Sequence, residues 1–509
     1  MRRNKNVMNM KEKRNNPIAI LWMALWMTAV PAQAQRQYLS LRDVITIAHK
    51  RSYDAKSARF RFLADYWSYR SFKAELLPSV NLTGSLLNFD HSKVETRNSD
   101  NGHINYVDNN SLTNSLKLSV DQQIPGLGGT VSLQSYLYRL DQFDYDQTTY
   151  NSQPLRITYT QPLRSYNALK WQKKTAPVEY EKAQREYLED MEQVTIKATR
   201  LYFNVISAQT SYQQSVKNYD DLQQLYEMAK RRFDLGTINK SDILQLELSV
   251  LNAKLAVTND KLNLDNQQFY LFSYLRLSDY QQSELIVPEQ IPDIVINAND
   301  AILHAVTNSS HTQSQTLTRL KAQQAVAQAR SQKGIQVQLR SELGFNKTDS
   351  RFTGAYRNLR DNELVGVSLS LPIFDWGVSK GKVHTAEANL QLAKVQVEQE
   401  HEEYLQDIRK QVMQFAYQAE LCRTAQRARD ISSERYEMTR RRFEAGTITV
   451  TDLNTALQEA ESAKSKYVDQ LQTYWVDYYT LRRATLYDWQ SHTKLTADYT
   501  KLLNTRYDD

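Results

Sequence analysis

Cysteine is nearly absent from this chain of 509 residues, and the single one is Cys422. One cysteine cannot form an internal disulfide, so no disulfide framework is predicted. No cysteine follows the apolar segment near the N-terminus, which argues against a lipid anchor. Because Cys422 falls on a position of an apolar heptad repeat, we expect it to pack as a small hydrophobic side chain.

The common motifs for phosphate-binding, zinc-binding and dithiol sites are also missing. The sequence has no GxxxxGK[ST], HExxH or CxxC pattern, and its eight histidines are scattered along the chain. We therefore predict neither an enzyme nor a bound metal or cofactor.

Long apolar runs are confined to the N-terminus. Residues 1–16 are polar and basic, Ile18–Val30 is apolar, and the small-residue pattern Ala32-Gln33-Ala34 follows. This order predicts a secretory signal peptide over residues 1–34, cleaved after Ala34. An N-terminal anchor helix is the alternative, although the run is short for one. After Ala34 no apolar run approaches the roughly 20 residues that a membrane helix requires.

The formal charge of +7 comes mostly from the signal segment. Residues 1–34 hold six basic side chains and one acid, so the rest of the chain carries about +2. A charge this small gives no reason to expect a nucleic-acid partner.

A segment near the middle of the chain is repeated near its end. Residues 226–238 read YEMAKRRFDLGTI and residues 436–448 read YEMTRRRFEAGTI, with nine of thirteen positions identical. At the same offset of 210 residues, Asp242 matches Asp452. We interpret the chain as a duplication. Its parts after the signal peptide are a first repeat at 35–285, a connector at 286–297, a second repeat at 298–490 and a tail at 491–509.

Each repeat has the same order of predicted elements. Helical periodicity opens the repeats, over about 41–75 and 298–333. The alternation typical of strands follows, over about 77–163 and 335–373. The first strand region is long enough for an extra hairpin near 113–140, which the sequence leaves open.

A very long helix follows the strands in both repeats. Nothing breaks the second one between about Val378 and Ala445, and a returning helix is predicted after each, over about 241–277 and 451–487. Apolar residues along the long helices step by three and four, which is typical of coiled-coil seams. They are Met191, Val194, Ala198, Leu201, Val205 and Ala208, and then Leu405, Ile408, Val412, Phe415, Ala419 and Cys422. The predicted fold class is therefore α+β.

The predicted strands raise a problem of closure. A β-sheet in a membrane must leave no unpaired edge, and single-chain barrels start at about eight strands. Roughly four to six strands cannot close alone, so we expect several chains to share one barrel. Long helical hairpins with narrow apolar seams also need neighbours, and side by side around an axis they form a tube.

Three motifs carry a resemblance to a known family. They are Leu76–Ser85 (LLPSVNLTGS), Ser368–Gly377 (SLSLPIFDWG) and the twice-repeated RRF-x-x-GT-I-x-x-x-D. With the signal peptide and the duplicated order of elements, they resemble TolC-like outer-membrane efflux proteins over essentially the whole mature chain. The resemblance implies a homotrimer in a Gram-negative bacterium, whose outer-membrane β-barrel continues into a long periplasmic α-helical barrel.

The same resemblance implies a function and partners. Such a protein is the exit duct of a tripartite efflux or type I-like export system, a passive conduit held in outer-membrane lipid. It docks to a periplasmic adaptor, and an inner-membrane RND or ABC pump supplies the energy. The resemblance does not identify the cargo, because the pump and adaptor select it. The cargo could be drugs, siderophores, metal ions or polypeptides.

The resemblance places the functional tip at the two hairpin turns. These are Leu235-Gly236-Thr237 and Ala445-Gly446-Thr447, where members of the family contact their adaptors. Glycine also ends helices for structural reasons, and both roles can hold together.

A pore constriction is implied beside these turns. Asp452 matches the first aspartate of the family's constriction, and Thr455 stands where a second aspartate commonly lies. Ile448 replaces a linking arginine and Phe443 replaces a tyrosine, so the family's lock is not reproduced. Asp242 is the corresponding aspartate of the first repeat.

Helix capping is the alternative role for both aspartates. Asn239-x-x-Asp242 and Thr449-x-x-Asp452 resemble N-cap arrangements, and the helix dipole favours a carboxylate in the first turn. Four arginines end the long helices, where they either complement the helix dipole or bridge to a neighbouring hairpin. They are Arg231, Arg232, Arg441 and Arg442.

A periplasmic coiled-coil adaptor or scaffold is the alternative interpretation of the whole chain. It explains the signal peptide and the heptads, but it explains neither the strand pairs nor the duplication. An adaptor would fractionate without detergent, which separates the two interpretations.

Overall fold

The computed structural model describes residues 37–97, 102–236, 238–277, 283–288 and 291–504. The signal peptide predicted at 1–34 lies outside the described residues. Thr237 and the last five residues of the predicted tail also lie outside them.

Two long helical hairpins and one antiparallel sheet make up most of the fold. The first half of the chain runs through β1 (Gln37–Leu39), α1 (Leu41–Arg51), α2 (Tyr53–Glu75), β2 (Ser79–Arg97), β3 (Ile104–Ile124), β4 (Gly129–Gln142), β5 (Gln147–Pro162), α3 (Ala168–Asp234) and α4 (Lys240–Leu275). The second half runs through β6 (Ser283–Leu285), α5 (Ala298–Asn308), α6 (His311–Gln332), β7 (Gln336–Asp349), β8 (Arg360–Ser370), α7 (Val378–Glu444), α8 (Val450–Thr485), β9 (Tyr487–Asp488), β10 (Thr493–Lys494) and α9 (Tyr499–Asn504).

The helix that opens each repeat is broken in two, where the sequence predicted one. Ser52 stands between α1 and α2 with an extended backbone, and its hydroxyl accepts a hydrogen bond from the Ala55 N–H. Ser309 ends α5 with a similar extended backbone. Serine favours such breaks because its side chain competes with the helix for backbone hydrogen bonds. The prediction of unbroken helices over 41–75 and 298–333 is therefore wrong.

The predicted helical hairpins are confirmed. Helices α3 and α7 have 67 residues each, which corresponds to a length of about 100 Å. Most of their heptad positions are buried: Val194, Ala198, Val205, Ala208, Ile408, Val412, Phe415 and Cys422. The returning helices α4 and α8 have only 36 residues each, and α2 and α6 pack along the remaining lengths of α3 and α7. Within the described part of the chain, none of the helices has the length and apolarity to cross a membrane.

The main core lies midway along the hairpins, beside the parallel pairing of β1 with β6. Fully buried aromatic side chains fill it: Tyr202, Phe203, Phe272, Phe415, Tyr474 and Tyr478. At its edge the Arg482 guanidinium donates two hydrogen bonds, of 2.8 and 2.7 Å, to the buried Glu192 carboxylate. This bidentate pair links α8 to α3 and so fixes one hairpin against the other.

Six strands form one antiparallel sheet in the order β2-β3-β4-β5-β7-β8. Four of them come from the first repeat, so the extra hairpin that the sequence left open is present. The register places apolar residues beside one another: Val80 pairs with Val120, Val120 with Leu133, and Leu339 with Val367. Because side chains alternate between the faces of a strand, one face of this sheet is apolar across its width.

Candidate functional site at the tip of the helical hairpins

Both hairpin turns adopt the left-handed backbone that glycine favours. Gly236 has φ +70° and Gly446 has φ +77°. Each glycine N–H donates to the carbonyl three residues earlier, at 2.8 and 2.9 Å. The two glycines are therefore required by the turns themselves. Their neighbours Leu235, Ala445 and Thr447 are exposed at the end of the hairpins, and Leu235 is 79% exposed.

Arg232 connects the two hairpins at the tip. Its guanidinium donates to the Glu444 carbonyl oxygen at 2.6 Å, at the C-terminal end of α7. A methyl group placed on Gly446 would lie 3.4 Å from the same guanidinium. The contact is favourable because a cation complements the carbonyl end of a helix. The other three arginines predicted at these ends are exposed: Arg231, Arg441 and Arg442.

Asp452 and Asp242 both lie in the first turn of a returning helix. Two hydrogen bonds from Thr449 reach Asp452 Oδ2, one from the backbone N–H at 3.1 Å and one from the hydroxyl at 2.7 Å. The Thr449 hydroxyl in turn accepts from the Asp452 N–H, which completes a capping box. In α4 the Asn239 side chain accepts from the Asp242 N–H at 2.9 Å. Both predicted N-cap arrangements are present.

The electrostatics of Asp452 favour its charged form. The hydrogen bonds from the Thr449 side chain and backbone, helped by the nearby charge of Arg442, lower the pKa of this fully exposed carboxyl. One turn further on, the exposed Thr455 hydroxyl donates to the Thr451 carbonyl at 3.0 Å. A negative charge and a hydroxyl therefore lie on the surface of α8 close to the turn.

The two hairpins hold an apolar cluster just behind the turns. Leu225, Leu246, Phe443 and Val450 are buried in it, and Ile448 packs against it half-buried. Phe443 is 8% exposed, so within one chain its ring contacts this cluster rather than solvent. A groove of about 460 Å³ opens beside the cluster, and Arg232, Asp242, Gly446 and Ile448 are among the residues that line it.

A polar link between α3 and α7 was missed by the sequence reasoning. The Asp221 carboxylate is 8% exposed, accepts from the Tyr436 hydroxyl at 3.2 Å and lies 3.4 Å from Arg440. Arg440 also reaches Glu444, at 3.2 Å. Tyr436 and Arg440 both belong to the repeated segment at 436–448, so the duplication could have marked them. The sequence around Asp221 does not indicate this contact, because the partners of Asp221 lie more than 200 residues away.

The pattern Gly377–Gly381, GVSKG, has the letters of a GxSxG nucleophile motif. Here it forms the start of α7, where the Asp375 carboxylate accepts from the backbone N–H groups of Gly377 and Ser379 at 3.0 and 2.9 Å. This arrangement is a helix cap, and the hydrogen bonds account for the residues without a catalytic role.

Cys422 and the acidic side chains give no sign of other chemistry. Burial raises the pKa of the Cys422 thiol to about 11, as expected for a packed thiol on a helix seam. In the ranges that the structure describes, no group of three or more His, Cys, Asp or Glu side chains is placed to hold a metal ion.

The fold and the tip define a class of protein: a channel built from a sheet at one end and long helical hairpins at the other. The family model for outer membrane efflux proteins matches residues 110–275 and 303–485, one segment in each repeat. The chain belongs to the outer membrane efflux protein family, which confirms the resemblance to TolC-like proteins. The family places it in the outer membrane of a Gram-negative bacterium, with helices extending into the periplasm.

Solved structures with the same fold are outer-membrane channels. The Campylobacter jejuni CmeC channel is 17% identical, with a TM-score of 0.63, and the alignment covers 91% of this chain and 88% of that one. For Vibrio cholerae VceC the identity is 14%, the TM-score 0.59 and the coverage 87% and 95%. For the open state of Neisseria gonorrhoeae MtrE the values are 14%, 0.55, 87% and 88%. No match was found among curated proteins. The predicted fold class is confirmed in this chain: a β-sheet continues into long helical hairpins, in two structural repeats, with the fold of these outer-membrane channels.

Proposed function

We propose that this protein is the exit duct of a tripartite efflux or type I-like export system. It is a passive conduit without catalytic activity. Its hairpin tip docks on a periplasmic adaptor, and an inner-membrane RND or ABC pump drives cargo into it. The observation that carries this proposal is the pair of glycine turns, which present exposed residues at the far end of the hairpins from the sheet.

The position of the tip supports docking from the periplasmic side. The sheet connects to α3 and α7 at their N-terminal ends, and the turns lie at their C-terminal ends, about 100 Å away. Leu235 and Ala445 stand beside Gly236 and Gly446 at this end. A partner that seals the duct must contact these residues, because none of the residues that the structure describes extends beyond them on either hairpin.

We further propose that the tip contains the gate. The Asp452 carboxylate is exposed beside one turn, and three protomers around an axis bring three such groups together. Thr455 and Asp242 accompany it on the returning helices. Phe443 and Ile448 pack in the apolar cluster behind the turn, and this packing sets the position of the turn. The match to the outer membrane efflux protein family argues against the alternative of a periplasmic adaptor.

Substitution of the turn glycine tests the docking role. Gly446→Pro should abolish export, because proline fixes φ near −65° whereas this position has φ +77°. Proline also removes the N–H that bonds to Phe443. The measurement is survival of a deletion strain on a panel of toxic compounds against which the wild-type gene protects it. Outer-membrane insertion should be unchanged, because the turn lies far from the sheet.

Gly446→Asn is the matched control, since asparagine tolerates the left-handed backbone better than other side chains. It should retain most of the protection. Wild-type protection by the proline variant, with equal protein in the outer membrane, would refute the docking role of the turn.

A further inference from the structure

The sheet of a single chain has two open edges. Among the residues that the structure describes, strands β2 and β8 each pair on one side only, with β3 and with β7. In lipid, unpaired backbone N–H and C=O groups on an edge cost several kcal/mol each, so such edges do not occur there. Both edges must therefore be covered by other chains.

The two faces of the sheet differ in polarity. Apolar side chains on the edge strands are exposed on one face: Val80, Leu82, Val365, Val367 and Leu369, each between 65% and 73% exposed. The opposite face carries charged residues, including an Arg156–Glu342 pair at 3.8 Å and an Arg340–Glu342 pair. Such a sheet is a segment of a barrel wall with lipid outside and water inside.

The directions of the two edges allow them to join. Strand β2 begins at Ser79, next to helix α2, and β8 ends at Ser370, next to helix α7, so both meet the helices at the same end of the sheet. They run in opposite directions and can pair in the antiparallel manner of the other strands. The 11 residues of β8 match the length that spans a membrane.

We infer that β8 of one protomer pairs with β2 of the next, so that three protomers close a barrel of eighteen strands. With strands about 4.8 Å apart and tilted by about 40°, the backbone cylinder is about 36 Å across. Barrels of this strand number enclose an aqueous channel. The size limit for cargo then lies at the helical tip and not in the membrane. The inference rests on the trimeric channel but not on adaptor docking.

The competing arrangement is a barrel of twelve strands, in which β8 pairs with β4 and the β2–β3 hairpin lies outside. That arrangement requires β3 to leave β4, with which it pairs continuously from Ser111–Gln142 to Ile124–Gly129. It would also expose the β3 backbone at a second edge in the membrane. The continuous pairing favours eighteen strands.

Register restricts which residues can meet at the new interface. The apolar side chains of both strands must lie on the lipid face, so Val367 stands opposite Leu82 or one of the outward positions two residues away, Val80 and Gly84. A shift by one residue would place apolar side chains in the polar lumen.

Cysteine pairs distinguish the two arrangements. In a Cys422→Ala background, Val367→Cys is combined with a cysteine at position 80, 82 or 84, or with Leu133→Cys on β4. After oxidation in membranes, one pair of the β2 series should link most chains into covalent trimers, while the β4 pair should not. Leu82→Cys with Leu118→Cys, which are paired within one chain, is the positive control for oxidation. Linkage through Leu133, with none through β2, would overturn the inference.

The unmodified protein gives a second test that does not depend on the variants folding. A cryo-EM map of the detergent-solubilised channel should show eighteen strands in cross-section, and twelve would contradict the proposal. The expected strand count is the same whether the Gly446→Pro variant exports cargo or not. The two proposals therefore fail separately.

Discussion

At the scale of single residues, the Asp452 carboxylate combines a cap with an exposed charge. Both Thr449 hydrogen bonds reach Oδ2, and asparagine can accept them equally well. Asp452→Asn should therefore preserve the helix while lowering cation selectivity and abolishing block by an added trivalent cation. The reason is that three carboxylates near one axis repel each other, and hard cations relieve the repulsion. Planar-bilayer conductance measures both properties.

The matched control for this gate prediction is Asp43→Asn at the start of α1. Asp43 completes the same kind of capping box with Ser40, but α1 packs on the main core and not at the tip, so the comparison separates a local helix effect from a pore effect. Unchanged selectivity and unchanged block in Asp452→Asn would leave only the capping role.

Ile448 marks a place where a charged link could be restored. The side chain is half-buried and lines the same groove as Asp242, so an arginine here would face an aspartate across the groove. Ile448→Arg should lower the resting conductance below that of the wild type, because the new ion pair holds the hairpins together. Ile448→Met is the uncharged control and should leave the conductance close to wild type. If the arginine variant has an equal or higher conductance, the missing charged link does not loosen the tip in the resting state.

At the scale of elements, the Asp221 link holds α3 against α7. Burial raises the pKa of Tyr436, so its hydroxyl stays protonated and donates to Asp221 throughout the ordinary pH range. Asp221→Asn weakens the attraction to Arg440 inside a buried site. It should lower the free energy of unfolding by about 1–3 kcal/mol per protomer and raise the resting conductance. Thermal unfolding of the solubilised protein and bilayer recording measure the two effects.

The surface pair of Lys261 with Asp265 provides the control for this link. Both side chains are about half exposed at 2.8 Å, so Lys261→Gln should cost no more than about 0.5 kcal/mol. If Asp221→Asn behaves like Lys261→Gln in both measurements, the link between α3 and α7 has no special role.

At the scale of the whole molecule, closure determines the number of chains. Six strands with two open edges cannot close within one chain, because single-chain barrels start at about eight strands. Native mass measurement in detergent should give three copies of the chain. A folded monomer that retains its strand content by circular dichroism would contradict the shared barrel.

Several features could be predicted because they depend on neighbours in the sequence. The heptad spacing of Val194, Ala198 and Val205 gives the seam of α3, and the strand alternation around Val367 gives one face of β8. Glycine in each repeated turn gave the hairpin ends, since few other residues adopt a positive φ there. The capping of Asp452 by Thr449 followed from a spacing of three residues.

The sequence by itself thus determined the duplication, the hairpins and the tip turns, all of which follow from local periodicity and backbone preference. Only the tertiary structure decided that the first repeat contributes four strands, that Arg232 reaches Glu444 and that Asp221 meets Tyr436. Local sequence patterns do not predict these contacts, because packing brings the partners together. Asp221 and Tyr436 are 215 residues apart, and the sequence around either residue does not indicate its partner.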